Sequence, residues 1–391
     1  MKLSDLQSVD DASVIGTYAR LPLQVVRGAG SWVWDEEDNQ YLDLLCGISV
    51  TNLGHCHPQV VDAIRDQART LIHASNLFYT EPGIRLAEKL SASSLGGKVI
   101  FGNSGAEAVE AAIKCARRAK PGGEIVTLEN AFHGRTYGAL SATHQESKQA
   151  PFAPMIPGFK PAAATVESLE QTVGPDTAAL IIEPIQGEGG VYPISNEVLL
   201  AAREICDRHG AALIFDEVQA GMGRTGSLWA YQQTGVVPDA ITTSKALGGG
   251  LPIGALITGE RLSGALQRGD HGSTFAAGPV VAQAALAALS VTDDEYLLGR
   301  VNMVGERLRE AIALLPGVTE VRGRGLMIGF DIEAGDAPGM VNAAIAGQRV
   351  LMNATGPNTV RLLPPLTIDD DEVAEAITRV ASALADHVAH S

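Results

Sequence analysis

Apolar residues gather in short blocks along the middle of the chain, each followed by a polar or glycine-rich turn. These are Lys98-Val-Ile-Phe101, Glu124-Ile-Val-Thr-Leu128, Ala178-Ala-Leu-Ile-Ile182, Ala211-Ala-Leu-Ile-Phe215, Ala240-Ile-Thr-Thr243 and Ala255-Leu-Ile-Thr258. Between them, from about Pro58 onward, the stretches read as helices. Runs that are apolar on both faces and alternate with helices predict an α/β fold, a mostly parallel sheet covered by helices, with its ligand site at the strand carboxyl ends.

Ahead of this body, Gly30-Ser-Trp-Val-Trp-Asp35 and Tyr41-Leu-Asp-Leu-Leu45 flank the polar Glu36-Glu-Asp-Asn-Gln40, which predicts a hairpin-like element. After Thr274 the pattern predicts helices over Pro279–Leu289 and Arg300–Leu315. Strands follow at Gly325–Ile332, Val350–Met352 and Val360–Leu363, then an amphipathic helix from about Asp370. The expected division is a large domain over 58–290 and a smaller α+β domain over 291–391, with 1–57 packed against the smaller one.

Composition narrows the function classes. With 391 residues, 46% of them hydrophobic, the chain can bury a substantial core. A net charge of −16 repels a long polyanion, so no nucleic-acid partner is expected. No apolar stretch reaches signal-peptide or membrane-span length, about 18 residues for the latter, which implies a cytoplasmic protein with no membrane partner. Cys46, Cys56, Cys115 and Cys206 form no CxxC pair and read as free thiols. In His55-Cys56-His57 an extended backbone turns the cysteine away from both histidines and no acid stands nearby, so no metal site is expected. Gly323-Arg-Gly-Leu-Met-Ile-Gly329 leads into a strand rather than a helix and is not a dinucleotide fingerprint.

The chemistry enters at the strand ends. Lys245, in Ile241-Thr-Thr-Ser-Lys-Ala-Leu-Gly-Gly-Gly250, ends an apolar run and lies 29 positions after Asp216 of Phe215-Asp-Glu-Val-Gln219. An amine at one strand end and a carboxylate from an earlier strand suit pyridoxal phosphate. The lysine captures the cofactor's aldehyde carbon and the aspartate keeps the ring nitrogen protonated. Either residue alone is common in any α/β protein; their order with the following segments gives them weight.

Asn103-Ser-Gly-Ala-Glu-Ala108 follows a strand and opens an alanine-rich helix. Ser104 with Glu107 fits a capping box, and Gly105 admits close backbone approach, so the free amides there suit a phosphate or serve simple capping. In Ala131-Phe-His-Gly-Arg-Thr136, Phe132 is a ring-stacking candidate and Arg135 a bidentate carboxylate binder. Ile182-Glu-Pro-Ile-Gln-Gly-Glu-Gly-Gly190 carries two acids, Glu183 as a fixed orienting group and Glu188, on the flexible turn, as a mobile one. Val218 is the candidate for the ring face opposite Phe132, and Gln219 for the ring hydroxyl.

These segments, together with Asn52-Leu-Gly-His-Cys-His-Pro58 and Gly221-Met-Gly-Arg-Thr-Gly226, give the chain a resemblance over nearly its whole length to the class III, ornithine-type aminotransferases of fold type I. The resemblance implies pyridoxal phosphate as cofactor and Lys245 as the residue that binds it and shuttles protons. It implies Asp216 at the ring nitrogen and Ser104, Gly105 and Ala106 at the phosphate. Phe132 and Val218 would stand on the two ring faces, and Gln219 at the ring oxygen. It further implies a homodimer with shared active sites, in which Thr274 reaches the phosphate of the partner's cofactor.

Arg135 and Arg361 would bind substrate carboxylates, with Glu188 pairing Arg361. The pairing has a physical reason: a donor that presents a terminal amine brings no carboxylate to Arg361, which then needs another anion. The family's Thr-Phe-Gly-Gly-Asn-Pro pattern is here Thr274-Phe-Ala-Ala-Gly-Pro279. Ile48 stands where members acting on free ornithine carry a tyrosine, which suits an acylated nitrogen instead. The expected reaction moves the terminal amino group of N2-acetylornithine to 2-oxoglutarate, in arginine biosynthesis. Succinylornithine, N-succinyl-diaminopimelate, ornithine and 4-aminobutyrate are alternative donors, and an aminomutase is an alternative reaction.

Overall fold

A computed structural model describes residues 2–333 and 335–390. The chain first lays down β1 (Val25–Ala29), β2 (Trp32–Asp35) and β3 (Gln40–Asp43), of which β2 and β3 are the expected hairpin. β1 escapes the sequence pattern because its residues are mostly exposed and show no alternation.

The central body holds β4 (Val99–Gly102), β5 (Glu124–Leu128), β6 (Phe159–Ala162), β7 (Thr177–Ile182), the two-residue pair β8 (Ile185–Gln186) and β9 (Tyr192–Pro193), then β10 (Ala212–Asp216), β11 (Ala240–Thr243) and β12 (Gly254–Thr258). Seven of these form one sheet in the order β4-β12-β11-β10-β7-β5-β6. β10 is parallel to both β7 and β11, and β5 to both β6 and β7. β12 is antiparallel to its two neighbours, so it is the one strand running against the rest. Every residue of β7, β10, β11 and β12 is buried, as a sheet covered on both faces requires. One core packs Leu180, Leu213 and Phe215 beneath Leu199 and Leu289; the other packs Ile181 and Ile214 against Val109 and Ala112.

β6 has no counterpart among the expected strands. It carries Pro161 and buries only Ala162, and it sits at the sheet edge, where proline leaves no ladder bond unmade.

The rest of the chain supplies β13 (Val318–Arg324), β14 (Met327–Ile332), β15 (Val350–Leu351), β16 (Asn353–Ala354) and β17 (Thr359–Leu362). The run expected as a single strand over 325–332 starts instead at Met327, because Gly325 turns the chain back onto the largely polar β13. The run expected over 350–352 ends at Leu351 as β15, which pairs with β3 and places Val350 opposite Leu42, and β16 follows beyond Met352 and pairs with β17. Val33, Leu42 and Leu44 thereby share a core with Phe330, Val360 and Leu384. Arg224, fully buried, ties these parts together by donating to Ser49 Oγ (3.0 Å), Leu326 O (2.9 Å) and Pro364 O (2.6 Å).

All four cysteines are free thiols, Cys115 and Cys206 lying in the helices Gly105–Ala119 and Asn196–His209. Burial pushes the Cys115 thiol up to about 11 and Cys206 up to about 12. No helix among the described residues is long and apolar enough to cross a membrane.

Candidate active site

Because β4, β5, β7, β10 and β11 all point one way, their following loops meet at one edge of the sheet, around a cavity of about 480 Å³. After β4, Ser104 caps the helix Gly105–Ala119 by accepting from the Glu107 amide at 3.2 Å. The returning Glu107 carboxylate accepts from the Asn103 amide, one residue earlier than the expected capping box would have it. The amides of Gly105 and Ala106 therefore stand at the open helix end, without intrahelical acceptors, on the cavity wall. Two glycines shape this wall. A Cβ on Gly105 would lie 2.8 Å from a Val218 methyl, and one on Gly254 would lie 2.1 Å from the Ser104 carbonyl oxygen.

At the end of β10, Asp216 lines the cavity, and the parallel register that sets Asp216 beside Thr242 brings the Thr242 hydroxyl onto its Oδ1 at 2.9 Å. The Val218 amide donates to the same oxygen at 3.1 Å. The other oxygen, Oδ2, lies 2.7 Å from His133 Nδ1. Burial opposes charge on His133, but the bond and charge of Asp216, with Glu183 beyond, outweigh it and raise the imidazole pKa. His133 thus fixes the orientation of the Asp216 carboxyl. The sequence carried no signal for this role, since the partners are 83 positions apart and meet only through the sheet.

Glu183, at the end of β7, accepts from the Phe132 amide at 2.8 Å and the Gly187 amide at 3.3 Å, so it fixes the loop that carries the stacking candidate. Its burial pushes the carboxyl up to about 7. Glu217, beside Asp216, turns away from the cavity and receives the Ala230 and Tyr231 amides at 2.5 Å and 2.8 Å. Lys245 follows β11 with a left-handed φ of 42°, a strained backbone that aims its side chain into the cavity. Its amine is walled in by protein, and this desolvation pushes it down to about 8. Glu188 resists the shift and Arg361 adds to it. An amine so tuned exchanges protons near neutrality.

The substrate side is built around Arg361, whose side chain is 0% exposed. Its Nη1 donates to Glu188 Oε1 at 2.7 Å and to Gln219 Oε1 at 3.0 Å, and its Nε donates to Asn353 Oδ1 at 3.1 Å. Asn353 was not among the sequence candidates; it arrives through the β16–β17 pairing that places it opposite Arg361. Burial would raise the Glu188 carboxyl, but Arg361, then Lys245, outweigh burial and lower it. Arg361 Nη2 is buried with no partner among the described residues, an open donor for an incoming carboxylate.

Phe132, Arg135, Glu183, Glu188, Val218 and Gln219 all line the cavity with Asp216 and Lys245. Three candidates stand outside this lining: Arg361, which meets it through Glu188 and Gln219, and then Ile48 and Thr274. Ile48 is exposed, with a φ of 62°, on the segment whose Val50 reaches the wall. Thr274 is exposed on a loop held by Asn76 Nδ2, which donates to Ser273 O and Ala276 O, each at 3.2 Å. Away from the cavity, His55 does have an acidic neighbour, contrary to the sequence expectation: its Nε2 lies 2.7 Å from Asp43 Oδ2. Among the described residues no group of three or more His, Cys, Asp or Glu is placed to hold a metal.

A lysine amine and a fixed carboxylate lining one cavity at the carboxyl ends of an α/β sheet suit an enzyme that handles amines through a carbonyl cofactor. The chain belongs to the class III aminotransferases, a pyridoxal phosphate-dependent family, whose description matches residues 16–384. It is similar to the acetylornithine aminotransferase of Caldanaerobacter subterraneus subsp. tengcongensis, 45% identical over 93% of this chain and 95% of that one. The corresponding enzyme of Methanocaldococcus jannaschii is 44% identical over 91% of this chain and 92% of its own. Among solved structures, the ornithine aminotransferase of Toxoplasma gondii ME49 superposes with a TM-score of 0.95 at 32% identity, covering 100% of this chain and 97% of that one. The N-acetylornithine aminotransferase of Stenotrophomonas maltophilia K279a does so with 0.84 at 36%, covering 98% and 100%.

Proposed function

We propose that this chain moves the terminal amino group of N2-acetylornithine to 2-oxoglutarate, giving N-acetylglutamate 5-semialdehyde and glutamate, in arginine biosynthesis in the cytoplasm. The relatives support the reaction, and the cavity suits the cofactor pyridoxal phosphate. The Ser104–Ala106 amides would hold its phosphate, Phe132 and Val218 its two ring faces, Asp216 the ring nitrogen, Gln219 the ring oxygen and Lys245 the reactive carbon. When bound, that cofactor supplies an electron-withdrawing ring that stabilises negative charge at the substrate carbon losing its proton. Lys245 Nζ takes and returns that proton, which its pKa of about 8 permits. His133 holds Asp216 in place.

The observation that carries this reading is the 2.7 Å pair between the fully buried Arg361 and Glu188, beside Lys245. With acetylornithine, whose remote carboxylate goes to Arg135, Glu188 stays on Arg361 and spares it burial without an anion. Glutamate brings a carboxylate next to the reacting carbon, which displaces Glu188 and takes Arg361, while its side-chain carboxylate takes Arg135. Ile48, at the mouth, offers no hydrogen bond to a free α-ammonium and suits the acetylated nitrogen.

The second active-site feature is dimeric. Thr274 lies outside its own cavity next to the exposed Phe275, and its loop is bonded by Asn76, which precedes the exposed Leu77, Phe78 and Tyr79. We take this surface to meet a second copy, where Thr274 reaches the partner's phosphate site. On the same reading, residues 58–290 hold the cofactor, and 1–57 with 291–391 form the smaller body.

A half-reaction titration tests the proposal. The visible band of the holoenzyme is expected to be converted at the lowest concentration by N2-acetylornithine, ahead of N2-succinylornithine and ornithine, and turnover to require 2-oxoglutarate. Lys245→Ala is expected to lose turnover by a factor of about 10³ or more. A preference for another donor, or normal turnover by the alanine variant, overturns it.

A further inference from the structure

Lys148 was not a sequence candidate, and no part of the reaction above uses it. It belongs to the four-residue helix Glu146–Gln149, which follows the Phe132–Arg135 loop. Its Nζ lies 5.9 Å from the centre of the Phe132 ring, and the Arg135 guanidinium carbon lies 5.5 Å from the same centre. Two cations therefore share the aromatic ring that lines the cavity mouth.

Their position is built rather than incidental. Lys148 Nζ donates to the Gln145 side-chain oxygen. The Gln145 amide nitrogen in turn donates to Asn130 O at 2.9 Å and Ala131 O at 3.2 Å, so lysine and Phe132 loop are fixed to one another. Gln149 Nε2 anchors the far end of the helix on Leu140 O at 2.9 Å. Half-buried Lys148 is pushed down in pKa by burial and then by the Arg135 charge, with Glu188 pulling the other way. The three charged groups thus act on one another across the mouth. Among the described residues neither Lys148 nor Arg135 has an ion-pair partner, although Glu188 has Arg361. Two like charges held together without an anion cost free energy, and a bound carboxylate removes that cost.

We propose that Lys148 is a second carboxylate-binding residue, acting with Arg135 on the remote carboxylate that N2-acetylornithine and glutamate both present at the mouth. Arg135 supplies the planar fork, and Lys148 supplies a point charge from the side of the ring. This rests on the proposed reaction and deepens it. Lys148 sets how strongly the site prefers substrates that carry a carboxylate away from the reacting amine.

The test compares N2-acetylornithine with N-acetylputrescine, the same molecule without the carboxylate, in half-reactions of the holoenzyme. The quantity read is the ratio of their kcat/KM values. Lys148→Gln is expected to lower that ratio about five- to tenfold, through KM for N2-acetylornithine, with N-acetylputrescine unaffected. Lys148→Arg is expected to restore most of it. A Lys148 that only props the loop would slow both substrates alike, and an unchanged ratio in Lys148→Gln overturns the proposal. If the wild-type enzyme fails to use N2-acetylornithine, the proposed donor is wrong, and the clamp is then read on glutamate against 2-aminobutyrate. An unchanged ratio there overturns it equally.

Discussion

Asp216 and Glu217 are neighbours in sequence with opposite surroundings, and the difference has a measurable consequence. Asp216 faces the cavity beside His133, whereas Glu217 is sealed under the Ala230–Tyr231 turn, where burial pushes its carboxyl from 4.5 up to about 7, Asp216 adding to the effect. Between those values the folded protein keeps a proton that the unfolded chain has lost, so this group's contribution to stability falls as pH rises through the window. Denaturant unfolding of wild type and Glu217→Gln is therefore expected to show a stability difference that shifts against the wild type by up to about 3 kcal/mol from pH 4.5 to 7. A flat difference would mean that Glu217 is not desolvated. Glu188 allows a second residue-level check. Glu188→Ala leaves Arg361 buried without its anion, so stopped-flow half-reactions are expected to shift in favour of glutamate over N2-acetylornithine by about tenfold or more. Glu188 and Arg361 could be paired from the sequence only through the family resemblance. His133, Asn353 and Lys148 could not be found, because each acts on a partner brought near by strand register or by a helix too short to leave a periodic signal.

β12 crosses closely beneath the Ser104–Ala106 turn. Gly254 opens β12, pairs with Gly102 of β4, and leaves no room for a methyl group against the Ser104 carbonyl. Because the clash is with backbone on both sides, Gly254→Ala is expected to displace the Ser104–Ala106 turn, lower stability by about 1–3 kcal/mol and weaken cofactor binding. Thermal unfolding and cofactor titration measure the two effects, and a variant with wild-type cofactor affinity would show that the turn bears no phosphate. The buried strands of this sheet were legible because a strand covered on both faces must be largely apolar, and β7, β10 and β11 are buried at every position with polar residues only at their ends. The direction of β12 was not, since an apolar run looks alike either way along the sheet. β1, β6 and β13 were lost for the converse reason: edge or surface strands keep polar or proline positions that also fit loops.

At the scale of the whole molecule, the unbalanced feature is the apolar surface on 72–79 and 275. Leu77 is 87% exposed, Tyr79 95% and Phe275 68%, and the ring of Phe275 lies 5.6 Å from that of His73. Interfaces use apolar surface of this kind, and on the proposed reading a second copy covers it, bringing Thr274, which does not line its own cavity, to the partner's phosphate site. Phe78→Asp is expected to yield monomers in sedimentation and to lose cofactor affinity together with the dimer. Thr274→Ala is expected to stay dimeric while cofactor binding weakens about tenfold, one hydroxyl contact to a dianion being lost. Each copy carries a net charge of −16, so in the proposed dimer long-range repulsion opposes the association that the apolar surface would drive. Raising the salt from about 10 mM to about 150 mM shortens the screening length from about 30 Å to about 8 Å, which is expected to tighten the Phe78-bearing dimer. A monomer that keeps full cofactor affinity, or a dimer that salt loosens, would remove Thr274 from the site and place the interface elsewhere.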